Sequence, residues 1–251
     1  MIANYHTHTV RCRHAKGTER DYIERAIAAG IKTLGFSDHS PYLFEGDYYS
    51  SFRMFPDQAS EYAATLRSLR EEYRDQIRIL VGYEAEYYPK YFSRLQKFLE
   101  DIGYDYLILG QHVLGNEIGG FYSAGGTDDP ALLKQYTDQV MEGLSTGKFL
   151  YLAHPDMFKF DGDPSVYEKE TARLCEFCKT RDIPLEVNLL GIIGKRHYPT
   201  DRFFDIAAEV GCKTILGIDA HDPAMIGNTE AEKIGYSLAT KPGLTLVETL
   251  I

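Results

Sequence analysis

Short apolar runs alternate with longer amphipathic segments along the whole chain. The runs "MIANYH", "TLGFSDH", "IRILVGYEAEY", "DYLILGQH", "FLYLAHP", "IPLEVNLLG" and "KTILGIDAH" read as strands. Between them lie "GTERDYIERAIAAG", "PDQASEYAATLRSLREEYRDQ", "PKYFSRLQKFLEDIG", "DPALLKQYTDQVMEGLSTG", "DPSVYEKETARLCEFCKTR" and "PTDRFFDIAAEVG". These place apolar residues three or four apart and read as helices. Pro56-Asp57, Asp129-Pro130 and Asp163-Pro164 mark helix starts, and Gly30, Gly103 and Gly211 mark ends. Seven strands alternating with helices, without a linker or internal repeat, predict one α/β domain over residues 1–251. Its sheet is either a parallel barrel or doubly wound.

Polar residues collect at the strand ends. The first strand ends in His6 and His8, the second in Asp38 and His39, and the third in Glu84 and Glu86. The others end in His112, His154, Asn188, and Asp219 with His221. In a parallel barrel these ends converge on one face. Residues two apart on a strand share a side, which pairs His6 with His8 and Asp219 with His221. With His14 just beyond the first strand, seven of the eight histidines gather there with two carboxylates, Glu84 and Asp219. A structural role accounts for one such histidine but not for the set. Imidazole and carboxylate without thiolate suit zinc, iron or manganese. Nine candidate ligands exceed the needs of one ion and match three, with one carboxylate shared. Three divalent cations would outweigh the two carboxylates and favour a phosphate dianion.

Composition narrows the class further. With 44% hydrophobic and 25% charged residues and no biased tract, the chain reads as soluble and globular. "MIANYHTHT" has neither a basic nor an apolar leader region, and no run is long enough to span a membrane. A cytoplasmic protein with no membrane partner is expected. Cys12, Cys175, Cys178 and Cys212 are too scattered for a disulfide framework and read as reduced thiols. "CEFC" lies in a helix without a second pair, so one thiol is expected buried and the other near the surface. The net charge of −10 excludes a broad basic face for duplex nucleic acid but not a small anionic substrate. No GxSxG elbow, Walker loop or aspartyl-phosphate motif is present, which points away from a covalent nucleophile.

In order, "HTHT", "SDHS", "GYEAE", "GQH", "AHP" and "GIDAH" resemble the successive motifs of the polymerase and histidinol phosphatase (PHP) family of metal-dependent phosphoesterases. "HAKGT", "SDHSPY" with "FRMFP", and "GIDAHDP" look most like its stand-alone histidinol-phosphate phosphatases. The resemblance implies a distorted (βα)7 TIM-like barrel with a trinuclear site of zinc, manganese or iron at the C-terminal strand ends. It implies one ion on His6, His8, Glu84 and Asp219, a second on Glu84, His112 and His154, and a third on His14, His39 and His221. The implied reaction is hydrolysis of a small phosphate monoester by a metal-bridging hydroxide, with Asp219 relaying a proton. L-histidinol phosphate, a histidine-biosynthesis intermediate, is the first substrate to consider. Phosphotyrosine protein, nucleotides, an amidohydrolase substrate and a non-catalytic metal scaffold are the competing readings.

Basic residues near the site are candidates for the phosphate. Arg196, in "GIIGKRHYP", is the expected clamp because a guanidinium offers bidentate geometry. Lys195, Arg53 and Arg13 are further candidates for substrate contacts, against a solvated-loop or ion-paired reading. His197, the histidine left without a metal, joins Asp219 and Arg196 as a catalytic candidate. Asp38, Asn188 and Glu86 are expected to orient metal-bound imidazoles through their outer N–H groups. Glu86 and Glu45 are both candidates to meet a substrate amine. Oligomeric state leaves no mark in the sequence.

Overall fold

Cap chemistry sets the helix boundaries in the computed structural model, which describes residues 1–251. Thr18 and Asp21 form a reciprocal capping box at the start of α1 (Glu19–Ala28). α2 (Ala59–Glu72) and α3 (Phe92–Ile102) follow, α2 entered through a 3₁₀ turn at Pro56–Gln58. Asp129 and Asp163 cap α4 (Pro130–Ser145) and α5 (Pro164–Thr180), each accepting a backbone N–H while proline fills the first helical position. α7 (Asp201–Val210) stops at Gly211, whose φ of 86° is the left-handed conformation glycine adopts freely.

All seven expected strands are present: β1 (Ala3–Asn4), β2 (Thr33–His39), β3 (Arg78–Ala85), β4 (Tyr106–Leu109), β7 (Phe149–Leu152), β8 (Leu185–Asn188) and β9 (Lys213–Gly217). They pair in parallel in that order, and helices cover the outer face, so a strand such as β2 is buried on both sides along its length. A hairpin of β5 (Val113–Leu114) and β6 (Phe121–Tyr122) projects beyond β4, and β10 (Thr245–Leu246) pairs with β9. The curled sheet meets itself at one bridge, Thr7 to Ala220, where His8 N–H donates to the Ala220 carbonyl at 2.9 Å. The seam therefore closes where the first and last ligand-bearing segments lie.

The N-terminal half of the barrel is filled. Tyr5, Tyr106 and Tyr151 pack there with Leu80, Ile108 and Ile215, and Val247 and Leu250 of the C-terminal tail pack against them. Tyr5 Oη accepts the Leu250 N–H at 2.9 Å, which fixes the tail under the barrel. The polar C-terminal strand ends are left as the open face. No helix is long and apolar enough to cross a membrane.

Three features depart from the sequence reading. The apolar run "IPLEVNLLG" is not one strand: Asn188 ends β8 and caps α6 (Leu189–Ile193), its side chain accepting the Gly191 N–H at 3.0 Å. α8 (Thr229–Ala239) is a further helix beyond those expected; it follows an Asn228 cap and carries Glu230 and Glu232 in its first turn. Cys175 and Cys178 are both buried, because a spacing of three puts both thiols on the inward face of α5.

Candidate metal centre

Glu84, near the end of β3, is the hub of the open face. Its Oε1 lies 2.8 Å from His154 Nε2 and 3.3 Å from His112 Nε2. Its Oε2 lies 3.0 Å from His39 Nδ1 and 3.5 Å from both His6 Nε2 and His8 Nε2. One carboxylate thus addresses two sets of imidazoles with separate oxygens. Asp219 closes the first set, its Oδ1 being 3.1 Å from His8 Nε2 and 3.5 Å from His6 Nε2. His14, His39 and His221 form a further group whose ligand atoms all fall within 4.8 Å of one another. All nine residues proposed as ligands from sequence are brought together.

These atoms fit a metal better than they fit each other. His6 Nε2, His8 Nε2, His39 Nδ1, Glu84 Oε2 and His221 Nε2 are buried without a hydrogen-bond partner. Such orphans are costly unless another group engages them. The outward nitrogens, in contrast, are mostly tied down. His6 Nδ1 donates to Glu186 Oε1 at 2.7 Å and His112 Nδ1 to Glu86 Oε1 at 2.7 Å. His14 Nδ1 donates to the Cys12 carbonyl at 2.8 Å, and His221 Nδ1 to the Asp219 carbonyl at 3.0 Å. Each such bond leaves the Nε2 lone pair facing inward, the tautomer that a cation requires. His8 Nδ1 lies 3.5 Å from Asp38, which also accepts the Thr9 hydroxyl.

Electrostatics sort the imidazoles into two classes. Burial opposes charge on His6 and His8, but the adjacent carboxylates outweigh it, raising His6 well above its ordinary value and His8 to about 9. On His39 and His221 burial prevails, reinforced by the charge of His8, holding His39 well below its ordinary value and His221 down to about 3. Burial also acts to raise Glu84 and Asp219, yet the surrounding imidazoles keep both carboxyls well below the usual range. Both carboxylates are therefore ionised at neutral pH, as ligands must be.

Glycines make room for this packing. A Cβ on Gly110 would overlap Glu84 Oε1, and one on Gly217 would overlap Glu186 Oε1. Gly110→Ala is accordingly expected to displace Glu84 and lower metal content while the fold, measured by circular dichroism, stays intact. Retention of full metal content in that variant would show that Glu84 can yield without losing its contacts.

The residue that the sequence reading missed is Glu186. It is buried in β8 and accepts from His6, from the His154 backbone N–H at 2.9 Å and from Asn188 Nδ2 at 2.9 Å. Asn188 Nδ2 also reaches Asp219 Oδ2 at 3.1 Å, so the pair ties three ligands together. The signal was available: a glutamate inside an apolar strand, two residues before Asn188 and so on the same side.

Beside the ligands opens a cavity of about 550 Å³, with Phe52, Tyr122, Met157, Leu190, Arg196 and Tyr198 along its wall. Arg196 reaches it, held by a 2.7 Å hydrogen bond from its Nη1 to Tyr198 Oη. The other basic candidates lie elsewhere. Arg13 is spent on the carbonyls of Ser50 and Arg53 and stacks 4.7 Å over Phe55. Arg53 is fully buried between Glu86 and Glu117. Lys195 is exposed and does not line the cavity. His197 Nε2 donates to the Met157 carbonyl at 2.7 Å, a backbone contact rather than a catalytic one. Glu45 pairs with Lys90 at 2.6 Å on the surface, so neither it nor Glu86 offers a free carboxylate to a substrate amine.

The sequence pattern of the PHP domain matches residues 4–189. The chain belongs to this family. It is similar to a Deinococcus radiodurans protein named probable histidinol-phosphatase, 29% identical over 251 residues, covering 93% of this chain and 91% of that one. A Schizosaccharomyces pombe protein of the same name is 26% identical, with 90% of this chain and 83% of that one covered. Among solved structures, the histidinol phosphate phosphatase of Lactococcus lactis, complexed with zinc, L-histidinol and phosphate, aligns with a TM-score of 0.69 at 16% identity. That alignment covers 96% of this chain and 94% of the other. At this identity the likeness shows a shared fold, the barrel derived above.

Proposed function

We propose that this chain is a metal-dependent phosphatase whose substrate is a small phosphate monoester, L-histidinol phosphate first. The gathering of seven histidines with Glu84 and Asp219, open to a cavity that Arg196 enters, carries this reading. The names of the relatives and the zinc, L-histidinol and phosphate in the Lactococcus structure support the choice of substrate. The ion sets proposed are His6, His8, Glu84 and Asp219; Glu84, His112 and His154; and His14, His39 and His221. When bound, divalent ions would supply Lewis acidity toward the phosphoryl oxygens and toward an attacking water.

The chain's own residues do the rest. Arg196 binds the phosphoryl group from the cavity wall, its guanidinium oriented by Tyr198. Asp219 is the one carboxylate on that wall, is ionised, and is fixed by Asn188, so it is placed to take the proton of the attacking water. Attack in line with the P–O bond breaks that bond, and the leaving oxygen takes a proton from solvent in the open cavity and departs as the alcohol. Glu186 and Glu86 hold His6 and His112 in orientation behind the ligands, and Asp38 faces His8 Nδ1 at 3.5 Å.

Arg196→Ala is expected to raise KM or lower kcat/KM for phosphate esters by about 1–3 kcal/mol, the scale of a lost charge-assisted contact. Wild-type kinetics would remove Arg196 from the substrate site. The direct test of the whole reading is elemental analysis on protein assayed in parallel with L-histidinol phosphate and p-nitrophenyl phosphate. About three ions per chain and a specificity constant highest for L-histidinol phosphate are expected. Full metal content with no phosphate release from any ester would leave a metal scaffold instead.

A further inference from the structure

Arg53 has no ordinary reason to be buried. It lies in the long connection between β2 and α2, yet it is fully enclosed. Its Nη2 is 2.6 Å from Glu86 Oε2 and is also ion-paired with Glu117, while Nη1 donates to the Ser40 carbonyl at 3.2 Å. Two carboxylates from different segments thus share one guanidinium: Glu86 follows β3, and Glu117 sits in the β5–β6 turn. Tyr48, from the same connection as Arg53, donates its hydroxyl to Glu117 Oε2 at 3.0 Å.

On the inward side, the other Glu86 oxygen accepts His112 Nδ1–H at 2.7 Å, and His112 Nε2 faces Glu84 at 3.3 Å. An unbroken path of ion pairs and hydrogen bonds therefore runs from the β5–β6 turn through Arg53 and Glu86 to a proposed metal ligand. Phe52, adjacent to Arg53, carries the same arrangement to the cavity. The guanidinium lies 4.6 Å from the Phe52 ring, and that ring packs 5.2 Å from His39 and 6.1 Å from His112.

We infer that Arg53 is a positioning residue that couples the cavity rim to metal occupancy of the Glu84, His112 and His154 group. The inference rests on the metal reading above. By holding Glu86 Oε2, Arg53 fixes the carboxylate in the orientation that turns His112 Nε2 inward. By holding Glu117 it fixes the hairpin whose second strand brings Tyr122 to the cavity wall, and through Phe52 it fixes that wall directly. Coupling of this kind is reciprocal: what steadies the rim favours the cation, and the cation steadies the rim.

The test measures zinc affinity by competition with a chromophoric chelator, alongside KM and kcat for L-histidinol phosphate. Arg53→Gln is expected to weaken one ion by about 10–100-fold, as loss of a ligand's orienting partner does, and to raise KM. Glu117→Gln, which frees the β5–β6 turn while leaving the Arg53–Glu86 pair in place, is expected to raise KM and to weaken zinc by a smaller factor than Arg53→Gln. Wild-type zinc affinity in either variant would overturn the coupling. Absence of zinc binding by the wild-type protein would instead overturn the metal reading itself, a distinguishable result.

Arg53→Gln also strips two buried carboxylates of their partner and can unfold the chain, so a second measurement needs no substitution. Hydrogen exchange of residues 41–52 and 115–120 in the wild-type protein is expected to slow when zinc is added. Exchange that is unchanged in both segments at saturating zinc would refute the coupling.

Discussion

Glu84→Ala is expected to remove more than one metal ion per chain and to cut phosphate release by about a thousandfold or more. The first part follows from geometry: Oε1 faces His112 and His154, and Oε2 faces His6, His8 and His39. Loss of the carboxylate withdraws a donor from two sets at once and leaves imidazoles, some raised toward the charged form, without their central anion. The second part follows from the several kcal/mol that a cation contributes to charge stabilisation in phosphoryl transfer. Elemental analysis with a phosphate-release assay checks both. Loss of a single ion would mean that Glu84 is a ligand to one metal and not a bridge. Glu84→Gln separates charge from shape: it fills the same space against Gly110, so a comparable loss of metal would assign the effect to the carboxylate's charge.

The ligand set was legible because the fold writes it in a simple code. Parallel strands buried on both faces must be apolar, so a histidine or carboxylate at the end of such a run stands out, and barrel geometry gathers those ends. The orienting carboxylates were only partly legible. Glu86 and Asp38 lie beside ligands in sequence, whereas Glu186 serves His6 and His154 from another strand. The basic loop residues were the least legible. Arg13 and Arg53 sit near ligand motifs, but whether a guanidinium faces a phosphate or a protein acid depends on tertiary partners. Here Glu86, Glu117 and the carbonyls of Ser50 and Arg53 claim them. The α6 boundary failed for a local reason: Leu189 and Leu190 extend the apolar run, and only the Asn188 cap turns strand into helix. The tail that plugs the barrel floor is invisible locally, since its partner Tyr5 lies at the opposite end of the chain.

Glu186 provides the second large effect, and two substitutions there should act differently. Glu186→Ala leaves His6 Nδ1–H, the His154 N–H and one Asn188 N–H buried without their shared acceptor. At about 1–3 kcal/mol for each unsatisfied buried donor, not fully additive, a stability loss of about 3–5 kcal/mol is expected in denaturant titrations. His154 adds to the sensitivity, because its φ of 29° is a left-handed conformation that the bond to Glu186 helps to hold. Glu186→Gln keeps the volume but turns one acceptor oxygen into an NH₂ group. If that group faces His6, His6 can bond only as the tautomer protonated on Nε2, which removes the lone pair from the metal side. If it faces His154, the strained backbone N–H and Asn188 lose their acceptor. Either way the folded variant should bind metal about 10–100-fold more weakly, with the loss centred on the His6, His8 and Asp219 group in the first case and on the Glu84, His112 and His154 group in the second. Chelator competition gives the affinity, and ¹⁵N shifts of His6 identify the tautomer. A folded Glu186→Gln protein with wild-type affinity and an unchanged His6 tautomer would reduce Glu186 to a packing residue. Weakened binding with an unaltered tautomer would place its role in the His154 backbone instead.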